Sequence, residues 1–269
     1  RLRSQGLFII EDCALAIGSK LNNDPLGSFG DVSLWSLEVS KTVTTGWGGV
    51  LTANNEQSRN ALAGRQQILG RISLLSDFRR LFQLWFSTLM MRVKLPGAIF
   101  IWYFMYGSRI FRRSNSFGGQ HPTRHELMGK YSRELYFYIK PSLDNIFKLT
   151  NKNYNQLMLE SDKLGLNCPV VPREGEFVVA PRFSLIVPAG RIHDIDDYAD
   201  RLGVEVGRWF TDCPPKWGLS KAKVFSCSNA DAISNKIINL SCHWTLSKLE
   251  LEQVKSLMKY ISLLDDSVK

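Results

Sequence analysis

The chain has 269 residues, 44% of them hydrophobic, with 34 basic against 25 acidic residues and a net charge of +9. That length suits one large domain or two small ones, and that apolar content supports a real core, which excludes a largely disordered chain. Five scattered cysteines without a C-x-x-C spacing point to a reducing, cytoplasmic compartment and away from a zinc site. His121 and His125 are four apart, but Pro122 follows the first and no third ligand is near.

The opening Arg1-Leu2-Arg3-Ser4-Gln5 has neither an initiating Met nor the apolar stretch of a signal peptide, so no secretion signal is expected. Leu7-Phe8-Ile9-Ile10 is a continuous apolar run suited to a buried parallel strand, with Asp12 at its carboxyl end. Open α/β sheets place their ligand sites at such ends. Asn22 to Gly27 is a turn cluster. Val32 to Leu37 reads as a second strand, and Gly46-Trp47-Gly48-Gly49 turns into a third at Val50 to Ala53. Residues 55–75 and 126–164 read as helical, the latter broken near Pro141, with Leu135, Ile139, Leu143, Ile146 and Phe147 at core spacing. Strands are expected at Phe177–Ala180, Phe183–Val187 and Val204–Phe210. A helix is expected from Asp194 to Leu202, capped by Gly203. A last amphipathic helix runs from Leu246 to Leu264, with Leu249, Val254, Leu257, Ile261 and Leu264 inward. Two regions follow: residues 1–125, with an unusual segment at 78–113, and residues 126–269, comprising connecting helices and a small α+β domain.

Between Phe78 and His125 there are eight basic residues and no acid, which accounts for all but one of the net charges. Within 78–113, Phe82, Trp85, Phe86, Phe100, Trp102, Tyr103, Phe104, Tyr106 and Phe111 stand among those arginines. The uncharged runs Leu81–Met91 and Leu95–Ser108 are shorter than the roughly 20 residues a bilayer span needs. The pattern suits a segment lying on an anionic membrane surface. The plainer reading is a helical insertion packed on its own domain or a dimer mate, its arginines snorkelling outward. Nucleic acid ranks below both, because the aromatics are too consecutive to line one polar platform.

Lys41 follows the second apolar strand, Ser36 lies five residues before it, and Asp12 ends the earlier strand. An amine, a hydroxyl and an acid so ordered form the layout that holds pyridoxal 5'-phosphate. Taken singly, each residue has an ordinary explanation: a turn-capping acid, a hydroxyl bonded to backbone, a solvated lysine.

The ordered motifs are Ile10-Glu11-Asp12-Cys13-Ala14, Gly27-Ser28-Phe29-Gly30-Asp31, Ser36-Leu37-Glu38-Val39-Ser40-Lys41 and Thr44-Thr45-Gly46-Trp47-Gly48-Gly49. Over about forty residues they resemble the DegT/DnrJ/EryC1/StrS family of sugar aminotransferases, and Pro181–Phe210 and Ile237–Tyr260 resemble that family's C-terminal part. The resemblance implies an α/β fold: a partial fold-type I pyridoxal-phosphate transferase large domain, lacking the family's N-terminal part, followed by the smaller α+β domain. It implies that Asp12, buried and with a lowered pKa, pairs with the cofactor's pyridine nitrogen. Ser36 would meet the phosphate, and Lys41 would bind the cofactor and move the proton. A homodimer is implied, acting on a nucleotide-linked keto-sugar with an amino-acid donor such as glutamate for cell-surface glycans, in the cytoplasm or at the inner face of the membrane. Three positions depart from the family pattern: Leu15 where Gln or His is usual, Leu37 where an aromatic is usual, and Trp47 where an acid is usual. A second reading of the same resemblance is a non-catalytic relative that binds a membrane surface or a partner chain.

Overall fold

The computed structural model describes residues 3–38, 40–46, 48–66, 70–71, 73–93, 126–127, 130–208, 228–234 and 236–265. The chain divides into two compact units. The first comprises Arg1–Asp12 and Gly30–Pro141, the second Cys13–Phe29 and Ser142–Lys269.

The first unit begins with β1 (Ile10–Asp12). The chain then contributes β2 (Lys20–Leu21) and β3 (Asp24–Pro25) to the second unit. It returns for β4 (Val32–Ser36) and β5 (Gly49–Ala53). β1 runs parallel to β4, and β5 runs antiparallel to it, giving the order β1-β4-β5. β1 is thus an edge strand among the described residues. That explains why the apolar run before it is not buried as its composition suggests: Leu7, Phe8 and Ile10 are 51%, 61% and 61% exposed. The pairing also starts only at Ile10, later than the run itself.

Helix α1 (Glu56–Gln66) follows β5 and lies against it. Its start is fixed by Asn55, whose side-chain oxygen accepts the Ser58 amide at 2.8 Å and whose carbonyl accepts the Arg59 amide at 3.0 Å. The first satisfies an orphan donor of the helix's first turn, and the second is the helix's first intrahelical bond. The helix is shorter than the 55–75 pattern implies. Gly70–Arg71 (β6) instead pairs in parallel with Glu126–Leu127 (β7). Helix α2 (Leu74–Val93) is opened by Ser73, whose hydroxyl accepts the Ser76 amide at 3.2 Å. Helix α3 (Lys130–Ile139) packs along α2. Residues 94–113 of the aromatic, basic segment lie outside the described residues.

In the second unit, Asn22 and Asn23 adopt φ of +50° and +71° and join β2 to β3. Two consecutive left-handed residues are what a two-residue hairpin turn requires, and Asn tolerates them. The expected break at Pro141 is a 3-10 turn, Lys140–Ser142, after which helix α4 (Leu143–Leu164) begins. β8 (Glu176–Phe177) joins β2. The main sheet is antiparallel: β9 (Arg182–Ile186), β10 (Val206–Gly207) and β11 (Ile237–Ser241), in the order β10-β11-β9. Helices α5 (Ile192–Leu202), α6 (Ser228–Ser234) and α7 (Lys248–Asp265) complete it.

Strict alternation builds this unit's core. Phe183 and Leu185 of β9 with Val187 just past it, and Ile238 and Leu240 of β11 with Cys242 just past it, are all buried. On the opposite face the Ser184 hydroxyl donates to the Asn239 side chain at 2.8 Å. Tyr154 of α4 meets Phe183 edge-on at 5.3 Å, and Tyr198 of α5 stacks on Tyr260 of α7 at 4.1 Å. Each large apolar side chain so buried contributes about 1.5–3 kcal/mol. The chain ends α5 at Gly203, φ +71°, whose amide returns to the Asp200 carbonyl. On α7, Val254, Leu257, Ile261 and Leu264 point inward as their spacing predicts, but Leu249 is 70% exposed. Leu251 takes the inward place instead. It heads the three-and-four spacing through Val254, Leu257 and Met258, while a residue two positions earlier faces roughly the opposite way.

Candidate functional site

The site residues expected from sequence all fall in the first unit, at the carboxyl ends of its parallel pair. Asp12 ends β1 and is the register partner of Leu34. Ser36 ends β4, two residues beyond Leu34. Partnered residues share a face, and so do residues two apart on one strand. Asp12, Leu34 and Ser36 therefore lie on one face, with the Asp12 and Ser36 Cα atoms about 8 Å apart by ordinary strand dimensions. Next to Ser36 on the other side stands Gly49. A Cβ there would run into the Trp35 carbonyl oxygen, so the strand pair can close at this point only on a glycine.

Lys41 sits beyond the end of β4 in a stitched loop. Its amide donates to the Glu38 carbonyl at 3.1 Å. The Ser36 hydroxyl accepts the Glu38 amide at 3.4 Å, and the Glu38 carboxylate accepts the Ser40 hydroxyl at 2.7 Å. Behind this turn, the Thr44 hydroxyl donates to the Leu37 carbonyl at 3.1 Å and accepts the Gly46 amide at 2.9 Å. The Leu37 amide donates to the Gly48 carbonyl at 2.9 Å. Gly46 and Gly48 both hold φ above +85°, in the left-handed region that glycine occupies without strain. Leu37, Thr42, Val43 and Thr45 are buried beneath the loop, and Lys41 itself is half-buried.

One expectation needs correction. Asp12 is exposed, not buried, because β1 is the sheet's outer strand among the described residues. Leu37, where the family pattern has an aromatic, is wholly buried; its side chain, one residue past Ser36, belongs to the opposite face and fills the floor of the loop. Leu15 is exposed and belongs to the second unit, and Trp47 lies outside the described residues.

Two carboxylates that sequence reasoning passed over shape this region. Asp31 accepts the Ile9 amide and the Asn55 side-chain amide, each at 2.7 Å. Glu11 accepts the Gly30 amide in a short hydrogen bond. Their signal was present in the adjacent Glu-Asp and Gly-Asp pairs of the motifs, but neither pair says which backbone amides it will meet. Among the described residues, no group of three or more His, Cys, Asp or Glu could hold a metal ion.

The match to the DegT/DnrJ/EryC1/StrS aminotransferase family model runs over residues 2–70 and so contains the whole of this constellation. Within curated proteins, a GDP-perosamine synthase of Escherichia coli O157:H7 is 48% identical over 54 residues, which span 20% of this chain and 15% of that protein. Solved structures share the fold over nearly the whole chain. The aminotransferase TlmJ of Streptoalloteichus hindustanus superimposes with a TM-score of 0.65 at 15% identity, covering 99% of this chain and 61% of that one. A Streptococcus pneumoniae protein assigned as a sugar aminotransferase, solved in a PLP form, gives 0.62 at 16% identity over 96% of this chain and 58% of that one. The chain thus shares the α/β fold of these solved aminotransferases over about three-fifths of their length.

Proposed function

We propose that the carboxyl edge of β1 and β4 holds pyridoxal 5'-phosphate and that the chain takes part in moving an amino group from an amino acid, glutamate for preference, to a nucleotide-linked keto-sugar. One observation carries this reading: an acid and a hydroxyl share one face and one end of a parallel strand pair, with a half-buried lysine in the stitched loop that follows, all inside the family segment. When bound, the cofactor supplies an electron sink for amino transfer. Asp12 holds the proton on its ring nitrogen. The Ser36 hydroxyl donates to its phosphate. Lys41 would supply the amine that attaches it and would afterwards carry a proton at Nζ. One relative is named a GDP-perosamine synthase and one neighbour is assigned as a sugar aminotransferase, which supports the substrate class.

The test is the absorption of the full-length gene product with added pyridoxal phosphate. A visible band from the lysine-attached cofactor is expected, lost in Lys41→Ala and weakened in Asp12→Asn. No band in the wild-type protein overturns the reading. A homodimer in the cytoplasm is part of it, checked by sedimentation.

A second reading concerns α2. Leu75, Phe78, Phe82 and Trp85 follow helical spacing and are each 46% exposed or more, with Phe82 and Trp85 in ring contact at 5.8 Å. Arg79, Arg80 and Arg92 lie on the same helix. Among the described residues no helix is long and apolar enough to cross a membrane. An exposed aromatic stripe with basic neighbours suits the headgroup layer of an anionic leaflet. Salt-sensitive flotation with phosphatidylserine vesicles is expected, and Phe82→Ser with Trp85→Ser should abolish it. Flotation unchanged in that double variant sinks this second reading.

A further inference from the structure

Only three register pairs join β1 to β4: Ile10 with Val32, Glu11 with Ser33, and Asp12 with Leu34. The residues leading into β1 form an unbroken apolar run without alternation, so hydrophobic patterning does not choose among registers. The choice matters here more than in most strands. A slip of one residue turns every β1 side chain to the other face. It would remove Asp12 from the face of Ser36 and set Glu11 or Cys13 there instead.

We propose that Asp31, assisted by Glu11, is a register lock that selects Asp12 rather than Glu11 for the site face. The reading rests on the cofactor site argued above. Asp31 and Ile9 close a ring: the Asp31 carboxylate accepts the Ile9 amide at 2.7 Å, and the Asp31 amide donates to the Ile9 carbonyl at 2.8 Å. The second carboxylate oxygen accepts from Asn55, whose own oxygen caps α1. Asn54 adds bonds from its side chain to the Gly30 carbonyl at 3.0 Å and from its amide to the Asp31 carbonyl at 3.0 Å. Glu11, pointing to the face opposite Asp12, holds the Gly30 amide. Gly30 itself admits no Cβ without a 2.9 Å contact to the Ile9 carbonyl oxygen, which fixes how near the two segments pass. The bonds to Ile9 and from Glu11 tie β1 and its flank to the turn before β4 and are specific to one register, while the Asn54 and Asn55 bonds hold that turn to the segment after β5. Charge-assisted bonds of this kind are the strong ones. Asp31 and Glu11 touch neither cofactor nor substrate and act through Asp12, as positioning residues.

The experiment compares wild type, Asp31→Ala, Asp31→Asn and Asn55→Ala in the full chain by amide hydrogen exchange, by pyridoxal-phosphate affinity and by the pH at which the bound cofactor's absorption changes. Asp31→Ala is expected to exchange about tenfold or more faster at Ile9 to Asp12 and to bind the cofactor about tenfold or more weaker. Its absorption change should move to lower pH, since a displaced Asp12 no longer holds the ring-nitrogen proton. A residue that only stabilised the fold would leave that pH unmoved. Asp31→Asn, which keeps one accepting oxygen, should lie between, and it decides the matter if Asp31→Ala does not fold. Asn55→Ala loses a helix cap but keeps the bond to Ile9, so its β1 protection and pH profile should match wild type. Wild-type protection of Ile9 to Asp12 in both Asp31 variants overturns the lock. If wild type gives no cofactor band, the cofactor reading has failed by itself, and the exchange data still decide the lock.

Discussion

Two of the three-stranded sheets among the described residues are specified in different ways. The β10-β11-β9 sheet of the second unit is set by side-chain burial: Phe183, Leu185, Ile238 and Leu240 alternate inward and are all but inaccessible. A shift of one residue there would expose the whole inner set, so packing alone dictates register. The β1-β4-β5 sheet of the first unit leaves Ile10 and Leu51 about 60% exposed. The register of β1 is written in hydrogen bonds of Asp31 and Glu11, while Asn54 and Asn55 hold the turn that carries Asp31. A core that must be stable can be defined by non-directional burial. A surface that must present an acid and an alcohol on one face needs directional bonds.

The comparison is broken most severely by removing packing from the second unit. Leu257→Ala should cost about 2–5 kcal/mol, the range for a fully buried leucine. Denaturant titration measures it, and a loss under 1 kcal/mol would mean that this core is not the packed one described. In the first unit the counterpart is steric. Gly49→Ala forces a Cβ onto the Trp35 carbonyl oxygen and should cost about 1–3 kcal/mol. It should also weaken cofactor binding, because Ser36 pairs with this position. Wild-type stability in that variant would remove the argument for glycine there.

Much of this could be read in advance, and what could not has definite causes. The strand of Ser36, the turn at Asn22–Asn23, the break at Pro141 and the Gly203 cap each follow from a local rule that no distant contact overrides. The candidate site was legible as an order of residue types, since acid, hydroxyl and lysine stand in motif sequence. The exposure of Asp12 was not, because it depends on which strand forms the sheet's edge. Nor were the partners of Asp31 and Glu11, because a carboxylate in a turn carries no mark of the backbone amide, nineteen to twenty-two residues away, that it will accept. The place of Leu37 follows from alternation past Ser36, which sends it to the floor of the loop, where it is wholly buried.

A smaller effect separates the units by pH. Burial lifts the Cys242 thiol from 9.0 to about 12, where it donates to the Ala180 carbonyl at 2.9 Å. Burial, followed by the negative potentials of Cys242, Cys168 and Glu176, lifts the Tyr154 phenol from 10.0 to about 12. Both groups keep their protons when folded and lose them sooner when unfolded. Stability from this source is therefore complete below pH 9 and declines as pH rises toward about 12, by at most about 1.4 kcal/mol per pH unit for one group. Cys242→Ser preserves the donor and removes the thiol's ionisation. Its stability should fall less steeply between pH 9 and 11, by about 1 kcal/mol at pH 10. Equal slopes in the two proteins would show that Cys242 is not the buried acid responsible.

The helical phase of α7 is tested by a pair of leucines, one of which should hardly matter. Leu249 and Leu251 are the same residue type two positions apart, one 70% and the other 8% exposed. Leu251→Ala should cost about 2 kcal/mol or more, and Leu249→Ala less than about 0.5 kcal/mol. Both lie in the first turn of the helix, so the intrinsic helix preference of alanine enters each equally and cancels in the difference. What remains is burial alone. If Leu249→Ala proved as costly as Leu251→Ala, some surface would have to cover Leu249 in solution, and the exposed leucine at the start of α7 would mark a contact instead of a helix's outer face.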